Sequence, residues 1–208
     1  SHGQVFHFDV ENNKYQLVRM ASSTPITCMT YLHSKLNYMV VAYEAGNLVV
    51  VDYVQRKGVV TMQASNNTPL RMVRCHPMHS ILLGYSVSDI KTVDIYDLRK
   101  MQVTRTMPVK ENVIDMQFLC GGEYIGILFE TSGFVVYRAR DCSLALQCPF
   151  PSSERMPKWT AFTVLQDTLI NDDNVPFIRV LTAGDNGIVH LWESPQEDDD
   201  DSMIALKE

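Results

Sequence analysis

The stretch YMVVAYEAGNLVVVDY, residues 38–53, decides the fold class of this chain. Two runs of β-branched and aromatic residues flank the pair Gly46-Asn47, and both residues of this pair can take the positive φ angles of a tight hairpin turn. The stretch therefore predicts an antiparallel β-hairpin. The pair Asn186-Gly187 predicts a second turn of the same kind near the end of the chain.

Similar short runs recur along the chain, and no stretch keeps a 3.6-residue apolar period, which indicates an all-β protein. Five segments share a polar turn, an alternating strand and another turn, and they align on Phe8, Val51, Tyr96, Tyr137 and Trp192. The successive spacings are 43, 45, 41 and 55 residues. Because one four-stranded propeller blade takes roughly 40 to 45 residues, the repeat predicts a β-propeller fold with about four to five blades present.

Each unit also has an apolar run ahead of its hairpin, which supplies one more strand of the blade. These runs are residues 26–32, 70–77, 113–119 and 159–165. Two insertions rich in Pro, Ser, Asn and Asp, residues 148–158 and 166–176, explain the long last spacing, and we interpret them as projecting loops. Since WD-type rings usually need about seven blades, we expect either an atypical small ring or a piece of a longer protein.

The aligned strands end in a degenerate dipeptide. They read HLWE at 190–193, IYD at 95–97, HFD at 7–9 and VVD at 50–52, and they resemble the tryptophan-aspartate ends of WD repeats. The resemblance covers nearly the whole chain and implies a WD-repeat propeller, a fold that serves as a platform for protein partners. Four of the five units lack the Trp and no Gly-His dipeptide opens a unit. The resemblance therefore implies the strand pattern but not the complete Asp-His-Ser/Thr-Trp hydrogen-bond network.

More narrowly, residues 3–193 are similar to the N-terminal WD-repeat region of the TBC-domain proteins of centriolar satellites and cilia. The segments that carry this likeness are GQVFHFDVENNKYQLV, VVAYEAGNLVVVD, IYDLRK, QCPFPSSE and LTAGDNGIVHLWE. It implies a cytoplasmic protein of the centrosome or cilium, whose Rab GTPase-activating module lies outside these residues. A rival likeness, through RTMPVKENV at 105–113 and LTAGDNGIVHLWE, is to the nucleolar WD-repeat scaffold of the small-subunit processome, and it implies the nucleus or nucleolus.

The segment IYDLRK, residues 95–100, resembles the W-D-x-R box by which some WD-repeat proteins dock on the adaptor of cullin ubiquitin ligases. Tyr96 stands in the place of the Trp, and Asp97 follows it. Arg99 would present its planar donor fork to a carboxylate or carbonyl of the adaptor. The segment therefore predicts either a ubiquitin-ligase substrate receptor or an ordinary hairpin turn with a solvated Arg99.

The composition indicates a folded, soluble domain, with 46% hydrophobic and 20% charged residues. No apolar run approaches the roughly 18 to 20 residues that cross a bilayer, and the first ten residues do not read as a signal peptide. Five cysteines without a CxxC pair favour buried thiols in the cytosol or nucleus. We expect residues 1–194 to form the blades and residues 195–208 to form an acidic tail or linker.

No motif for nucleotide binding or serine hydrolysis is present in the sequence, so we expect no enzyme and no cofactor. His76 and His79 have HxxH spacing, but Pro77 between them favours a turn after a strand over a zinc site. Asp172 and Asp173 lack the calcium-loop pattern and are expected in a solvated loop. The formal net charge of −6, with scattered basic residues, argues against direct binding of nucleic acid.

The expected partners are therefore other proteins, bound through blade loops and edge strands, without membrane insertion. Trp159 either opens a strand as a core residue or belongs to a contact patch beside the Pro-rich insertion, where Trp is a favoured anchor. The predicted partner-binding residues are Tyr96, Asp97, Arg99, Arg155, Trp159, Asp172 and Asp173.

Overall fold

The structure is a computed structural model that describes residues 3–19, 24–148, 158–165 and 179–193. Strands make up most of these residues, together with two short 3-10 helices, Ser65–Asn67 and Cys120–Gly122. Within the described ranges, no helix is long and apolar enough to cross a membrane. The prediction of an all-β protein is confirmed.

The strands form five antiparallel sheets, each built from strands that are consecutive in the chain. The first sheet pairs β1 (Val5–Asp9) with β2 (Lys14–Arg19). The second contains β3 (Ile26–Tyr31), β4 (Tyr38–Tyr43), β5 (Asn47–Asp52) and β6 (Lys57–Gln63). The third contains β7 (Leu70–Cys75), β8 (Ile81–Ser86), β9 (Thr92–Asp97) and β10 (Gln102–Pro108). The fourth contains β11 (Val113–Leu119), β12 (Tyr124–Phe129), β13 (Phe134–Arg138) and β14 (Leu144–Cys148), and the fifth contains β15 (Trp159–Val164), β16 (Arg179–Gly184) and β17 (Val189–Glu193).

The repeat read from the sequence coincides with these sheets. The five residues on which it was aligned lie in β1, β5, β9, β13 and β17, and the apolar runs predicted ahead of the hairpins contain β3, β7, β11 and β15. Three sheets have four strands, as propeller blades do, and the described parts of the other two have two and three. The prediction of repeated four-stranded antiparallel sheets, about four to five in number, is confirmed.

The hairpin of residues 38–53 forms as predicted, but its turn differs from the predicted one. Gly46 has φ +79°, whereas Asn47 does not have a positive φ and begins β5. The Gly46 N–H donates to the Tyr43 carbonyl at 2.9 Å, and residues 44–46 form the loop between β4 and β5. Gly187, with φ +76°, donates to the Gly184 carbonyl in the same way. In both hairpins only the glycine has a positive φ angle. The two turn residues before it do not, so only the glycine position requires the left-handed region.

The middle strands of the sheets carry most of the core. In β4 and β5, five of six residues are buried, so side chains on both faces are covered. The outer strand β6 has one buried residue, Met62. Continuous apolar runs such as LVVV therefore form strands that are buried on both faces, and the outer strand of the same sheet remains polar.

The chain divides into two compact units, unit 1 (Ser1–Lys110) and unit 2 (Glu111–Glu208). In unit 1, one apolar cluster packs the β3–β6 sheet against the β7–β10 sheet, and a second packs the β1–β2 hairpin against the other face of the β3–β6 sheet. In unit 2, a third cluster packs the β11–β14 sheet against the β15–β17 sheet. The predicted acidic tail, residues 195–208, lies outside the described residues.

Candidate interaction surface

The aspartate of each degenerate WD dipeptide in unit 1 holds the turn that follows its strand. Asp52 accepts two backbone hydrogen bonds through Oδ1, from the N–H of Val54 at 3.0 Å and of Gln55 at 2.7 Å. Asp97 does the same for Arg99 at 2.9 Å and Lys100 at 3.1 Å. Such bonds satisfy N–H groups that the strand ladder leaves unpaired. The retained aspartate therefore fixes the backbone of the turn.

The turns after β1, β5, β9 and β13 each contain a residue in the left-handed region, four positions after the end of the strand. The residues are Asn13 (φ 49°), Arg56 (φ 58°), Met101 (φ 54°) and Cys142 (φ 60°). Only one of them is an Asn, although Gly and Asn take this conformation most easily. The residue types at these positions do not mark them in the sequence, and the only signal for them is their constant distance from the aligned strand ends.

In the fourth sheet, Arg138 takes the place of the aspartate, and a different carboxylate stabilises the turn. Asp141 Oδ1 accepts hydrogen bonds from the N–H of Ser143 at 2.9 Å and from its hydroxyl at 2.7 Å. The side-chain and backbone hydrogen bonds from Ser143 lower the pKa of Asp141 to about 2. The turn is therefore kept although the dipeptide is lost.

The three residues predicted from the segment IYDLRK have different environments. Tyr96 is fully buried, and its hydroxyl donates to Asp94 Oδ2 at 3.2 Å. Burial, and secondly the charge of Asp94, raise the pKa of Tyr96. Asp97 stabilises the turn, as described above, and Arg99 is exposed on it. Of the three, only Arg99 presents its side chain to solvent for a partner.

The turn that carries Arg99 lies beside the loops that join the first and second strands in unit 1. The N–H of Leu98 donates to the Ser80 carbonyl at 2.9 Å, and the N–H of Tyr53 donates to the Asn37 carbonyl at 3.0 Å. The hydroxyls of Ser34 and Ser80 are 3.3 Å apart, so the loops of neighbouring sheets are in contact. One edge of unit 1 thus gathers four connected segments, residues 32–37, 53–56, 76–80 and 98–101.

We call this edge the turn surface. Its exposed side chains combine cationic or imidazole groups with large apolar groups. The first group comprises His33, Lys35, Arg56, His79, Arg99 and Lys100, and the second comprises Leu36, Val54, Met78 and Met101. These four segments contain no Asp or Glu. Asp52 and Asp97, at the adjoining strand ends, are bound to backbone N–H groups, and Asp97 Oδ2 also lies 3.8 Å from Lys100 Nζ. The surface is therefore positive and partly apolar in a chain whose net charge is −6.

His76 and His79 lie in this surface, in the predicted turn after β7. His76 is buried, and its Nδ1 accepts hydrogen bonds from the N–H of Met78 at 3.0 Å and of His79 at 3.1 Å. His76 thus stabilises the turn as the aspartates do. In the described part of the chain, no group of three or more His, Cys, Asp or Glu side chains is placed to hold a metal ion.

Trp159 lies in the core of unit 2, which is the first of its two predicted positions. It is 2% exposed and meets Trp192 edge to face, with 6.2 Å between ring centroids. The indole N–H of Trp192 donates to Thr182 Oγ1 at 2.8 Å, and both residues are buried. This last bond retains one link of the hydrogen-bond network of WD blades. Arg155, Asp172, Asp173 and residues 149–157 and 166–176 of the two predicted insertion loops lie outside the described residues.

No protein-family profile and no curated protein matches this chain. Among solved structures, a WD-repeat propeller chain of the structure described as "Crystal Structure of Mitotic Checkpoint Complex" matches with a TM-score of 0.69 at 13% sequence identity. The match covers 91% of this chain and 54% of that chain, so this chain spans about half the length of its structural neighbour. At this identity the likeness shows the fold alone. The fold is that of WD-type propeller blades.

Proposed function

We propose that this chain is a non-catalytic scaffold that binds other proteins, and that the turn surface of unit 1 is one of its docking sites. The observation that carries the proposal is the exposure of Arg99 on a backbone that Asp97 and the Ser80 carbonyl hold in place. A rigid backbone lowers the entropy that is lost when an exposed side chain is fixed by a partner. Arginine and exposed apolar groups side by side are typical of contact surfaces.

The charge of the surface favours a partner segment that is acidic. Six cationic or imidazole side chains are exposed there, and of these only Lys100 pairs with one of the two adjoining carboxylates, Asp52 and Asp97, which are otherwise bound to backbone N–H groups. Opposite charge speeds encounter and selects among partners, and the contacts of Leu36 and Met78 would add apolar area. The apolar residues among the cations favour a protein over a nucleic acid, which would contact mainly charged and hydrogen-bonding groups.

The experiment places a photo-crosslinking amino acid at position 99 and, in a matched chain, at position 71. Arg71 is also an exposed arginine of unit 1, but it lies near the start of β7, away from the end of that strand where the turn surface begins. In cells, the position-99 chain is expected to give protein adducts that the position-71 chain does not give. The same adducts at both positions, or none at position 99, would contradict the proposal.

Three finer functions fit this scaffold and differ in their partner. A cullin ubiquitin-ligase substrate receptor would use Arg99, so Arg99→Ala should weaken binding to the purified adaptor at least about tenfold, as expected for an arginine hot spot, whereas Arg71→Ala should not. If the unaltered chain does not bind the adaptor, this function is excluded. Of the two motif residues, only the exposed Arg99 supports the substrate-receptor function. Tyr96 is buried, so its side chain cannot contact an adaptor.

The other two finer functions are the platform of a TBC-domain protein and a scaffold of the small-subunit processome. The first predicts centrosomal or ciliary localisation, and the second predicts nucleolar localisation with salt-sensitive association to RNA particles. Imaging of the tagged protein together with centriolar and nucleolar markers separates the two. Localisation to neither compartment would contradict both, while leaving the crosslinking result at Arg99 unaffected.

A further inference from the structure

The turn between β13 and β14, residues 138–144, brings two arginines close to one serine hydroxyl. Arg138 Nη1 donates a hydrogen bond to Ser143 Oγ at 3.4 Å. Ser143 Oγ donates in turn to Asp141 Oδ1 at 2.7 Å, and Arg140 Nε lies 3.3 Å from Asp141 Oδ2. We call residues 138–144 the Ser143 turn. Its hydroxyl is therefore linked to two guanidinium groups and one carboxylate.

The side chains of the Ser143 turn are open to solvent. The Arg140 side chain is 84% exposed, and Arg138, Ser143 and Leu144 are exposed as well. The outer strand β14, which begins at Leu144, buries only Leu146 among its described side chains. An outer strand with so few buried contacts opens locally at a low free-energy cost. An enzyme that binds the turn as an extended segment can thus reach the Ser143 hydroxyl.

The residues ahead of Ser143 set it apart from every other Ser and Thr of the chain. Ser143 alone has an Arg or Lys both three and five positions before it, and these are Arg140 and Arg138. In an extended segment alternate side chains point to the same side, so both guanidinium groups and the following Leu144 lie on one side. Two planar donor forks fit a substrate cleft that is lined by carboxylates.

We propose that Ser143 is phosphorylated by an arginine-directed serine kinase, and that Arg138 and Arg140 bind the phosphate once it is in place. In this step Ser143 Oγ bonds to the γ-phosphorus of ATP, the bond from that phosphorus to the β,γ-bridging oxygen breaks, and ADP leaves. The hydroxyl proton passes to the catalytic carboxylate of the kinase. The product carries a charge of about −1.5 to −2 and three acceptor oxygens.

The groups around the hydroxyl favour the phosphate. Arg138 already donates to Ser143 Oγ, and a guanidinium group binds phosphate through charge-assisted hydrogen bonds. Asp141 loses the hydrogen bond from the hydroxyl and is repelled by the phosphate. Arg140, which is paired with Asp141 in the unmodified turn, then has the stronger attraction toward the phosphate. The two arginines therefore hold the modified turn where the carboxylate holds the unmodified one.

Thr131 offers a matched hydroxyl in the same unit. It is exposed, and its Oγ1 donates to Glu111 Oε2 at 2.6 Å, much as Ser143 Oγ donates to Asp141. None of the five residues before Thr131 is Arg or Lys, and the one directly before it is Glu130. Thr131 therefore has the same kind of hydrogen-bonded hydroxyl without the arginines.

The first experiment incubates the purified chain with magnesium ATP and protein kinase B, a kinase that selects arginine at these two positions, and locates the phosphate by mass spectrometry. Phosphate is expected at Ser143 and not at Thr131. Arg140→Ala, which the fold tolerates because this side chain is so exposed, should slow the reaction at least about tenfold. Arg71→Ala, at an exposed arginine of unit 1, should not slow it. No phosphate at Ser143, or equal rates for Arg140→Ala and the unaltered chain, would overturn the proposal.

The second experiment tests whether the arginines bind the phosphate. Phosphoserine is incorporated during translation at position 143 and, in a matched chain, at position 131, and phosphorus nuclear magnetic resonance follows its second pKa, ordinarily about 6. This pKa should fall at position 143, where two guanidinium groups outnumber the Asp141 carboxylate, and should rise at position 131, beside Glu111. Arg138→Ala should reverse most of the fall. Equal pKa values at the two positions would overturn the role of the arginines.

The third experiment recovers the chain from cells treated with a phosphatase inhibitor. Mass spectrometry is expected to find phosphate at Ser143, and its absence would overturn the proposal. Arg99 and the rest of the turn surface lie in unit 1, whereas the Ser143 turn lies in unit 2. None of these measurements involves Arg99, so their result is independent of the function proposed for the turn surface.

Discussion

Gly46 and Gly187 allow the cost of a left-handed backbone to be separated from the cost of close packing. Both glycines occupy the same position of the turn between the second and third strands, with φ +79° and +76°. A Cβ at Gly187 would meet no atom within 4 Å. A Cβ at Gly46 would lie 2.3 Å from the Asn67 carbonyl oxygen and 2.4 Å from its carbon. These are backbone atoms, so rotation of a side chain cannot relieve the contact.

We therefore expect Gly187→Ala to lower the free energy of unfolding by about 1 kcal/mol, the cost of a left-handed alanine. Gly46→Ala carries the same cost, and the segment around Asn67 must also move away. That movement breaks the hydrogen bond from the Ala64 N–H to the Gly46 carbonyl, which is 2.7 Å long. With about 1 kcal/mol for the bond and a similar amount for disturbed packing, the total is about 3 kcal/mol.

Urea titration followed by far-ultraviolet circular dichroism measures both losses. Tryptophan fluorescence adds a signal that reports on unit 2, because the chain has two Trp residues, Trp159 and Trp192, and both lie there. Hydrogen exchange of β4 and β5 compared with β16 and β17 locates each effect. If Gly46→Ala destabilised the chain no more than Gly187→Ala, the close approach of residue 67 would be wrong.

Three further predictions concern groups buried or bonded in the turns and strands. Asp52→Ala should lower the free energy of unfolding by about 2 kcal/mol and Asp97→Ala by about 1 kcal/mol, as measured in the same urea titration. Each aspartate accepts two backbone hydrogen bonds, but only Asp52 is buried. Equal losses would contradict a role for burial. Ser143→Ala should raise the pKa of Asp141 from about 2 toward 3.8, as measured by nuclear magnetic resonance titration. Because folding lowers this pKa, the ionised Asp141 stabilises the folded chain above pH 3.8, and this stabilisation is lost as the pH falls toward 2. Burial raises the pKa of Cys75 to about 12. Alkylation of Cys75 at pH 8, measured by mass spectrometry, should therefore be slow in the folded chain and fast in urea. Rapid alkylation without urea would show that Cys75 is accessible.

The sequence predicted the strands because each one leaves a local signature. Runs such as LVVV in β5 and VVAY in β4 have few alternatives to a buried strand, and the turn between them requires a residue that tolerates a positive φ. The spacing of 43, 45 and 41 residues then predicted which strands are equivalent. Only Gly46 of the predicted turn pair takes a positive φ, because Gly46 and Asn47 suit two kinds of hairpin and only the backbone hydrogen bonds distinguish them.

The candidate surfaces were less predictable. Arg99 was identified from its motif, and the structure exposes it, but Tyr96 of the same motif is a core residue. A one-dimensional pattern cannot tell which face of a strand another sheet will cover. Arg56 and Lys35, which share the turn surface with Arg99, are distant from it in sequence and are brought near it by the packing of two sheets.

The sequence by itself determined the strand content, the repeat and the position of each hairpin, because β propensity, apolar alternation and turn chemistry act between residues that are close along the chain. Only the tertiary structure decided that Tyr96 is buried while Arg99, three residues later in the same motif, is exposed. The sequence around the two residues is shared, and what differs is whether a neighbouring sheet packs against the side chain. Burial depends on contacts between repeats, and those contacts follow from the stacking of sheets rather than from any single segment.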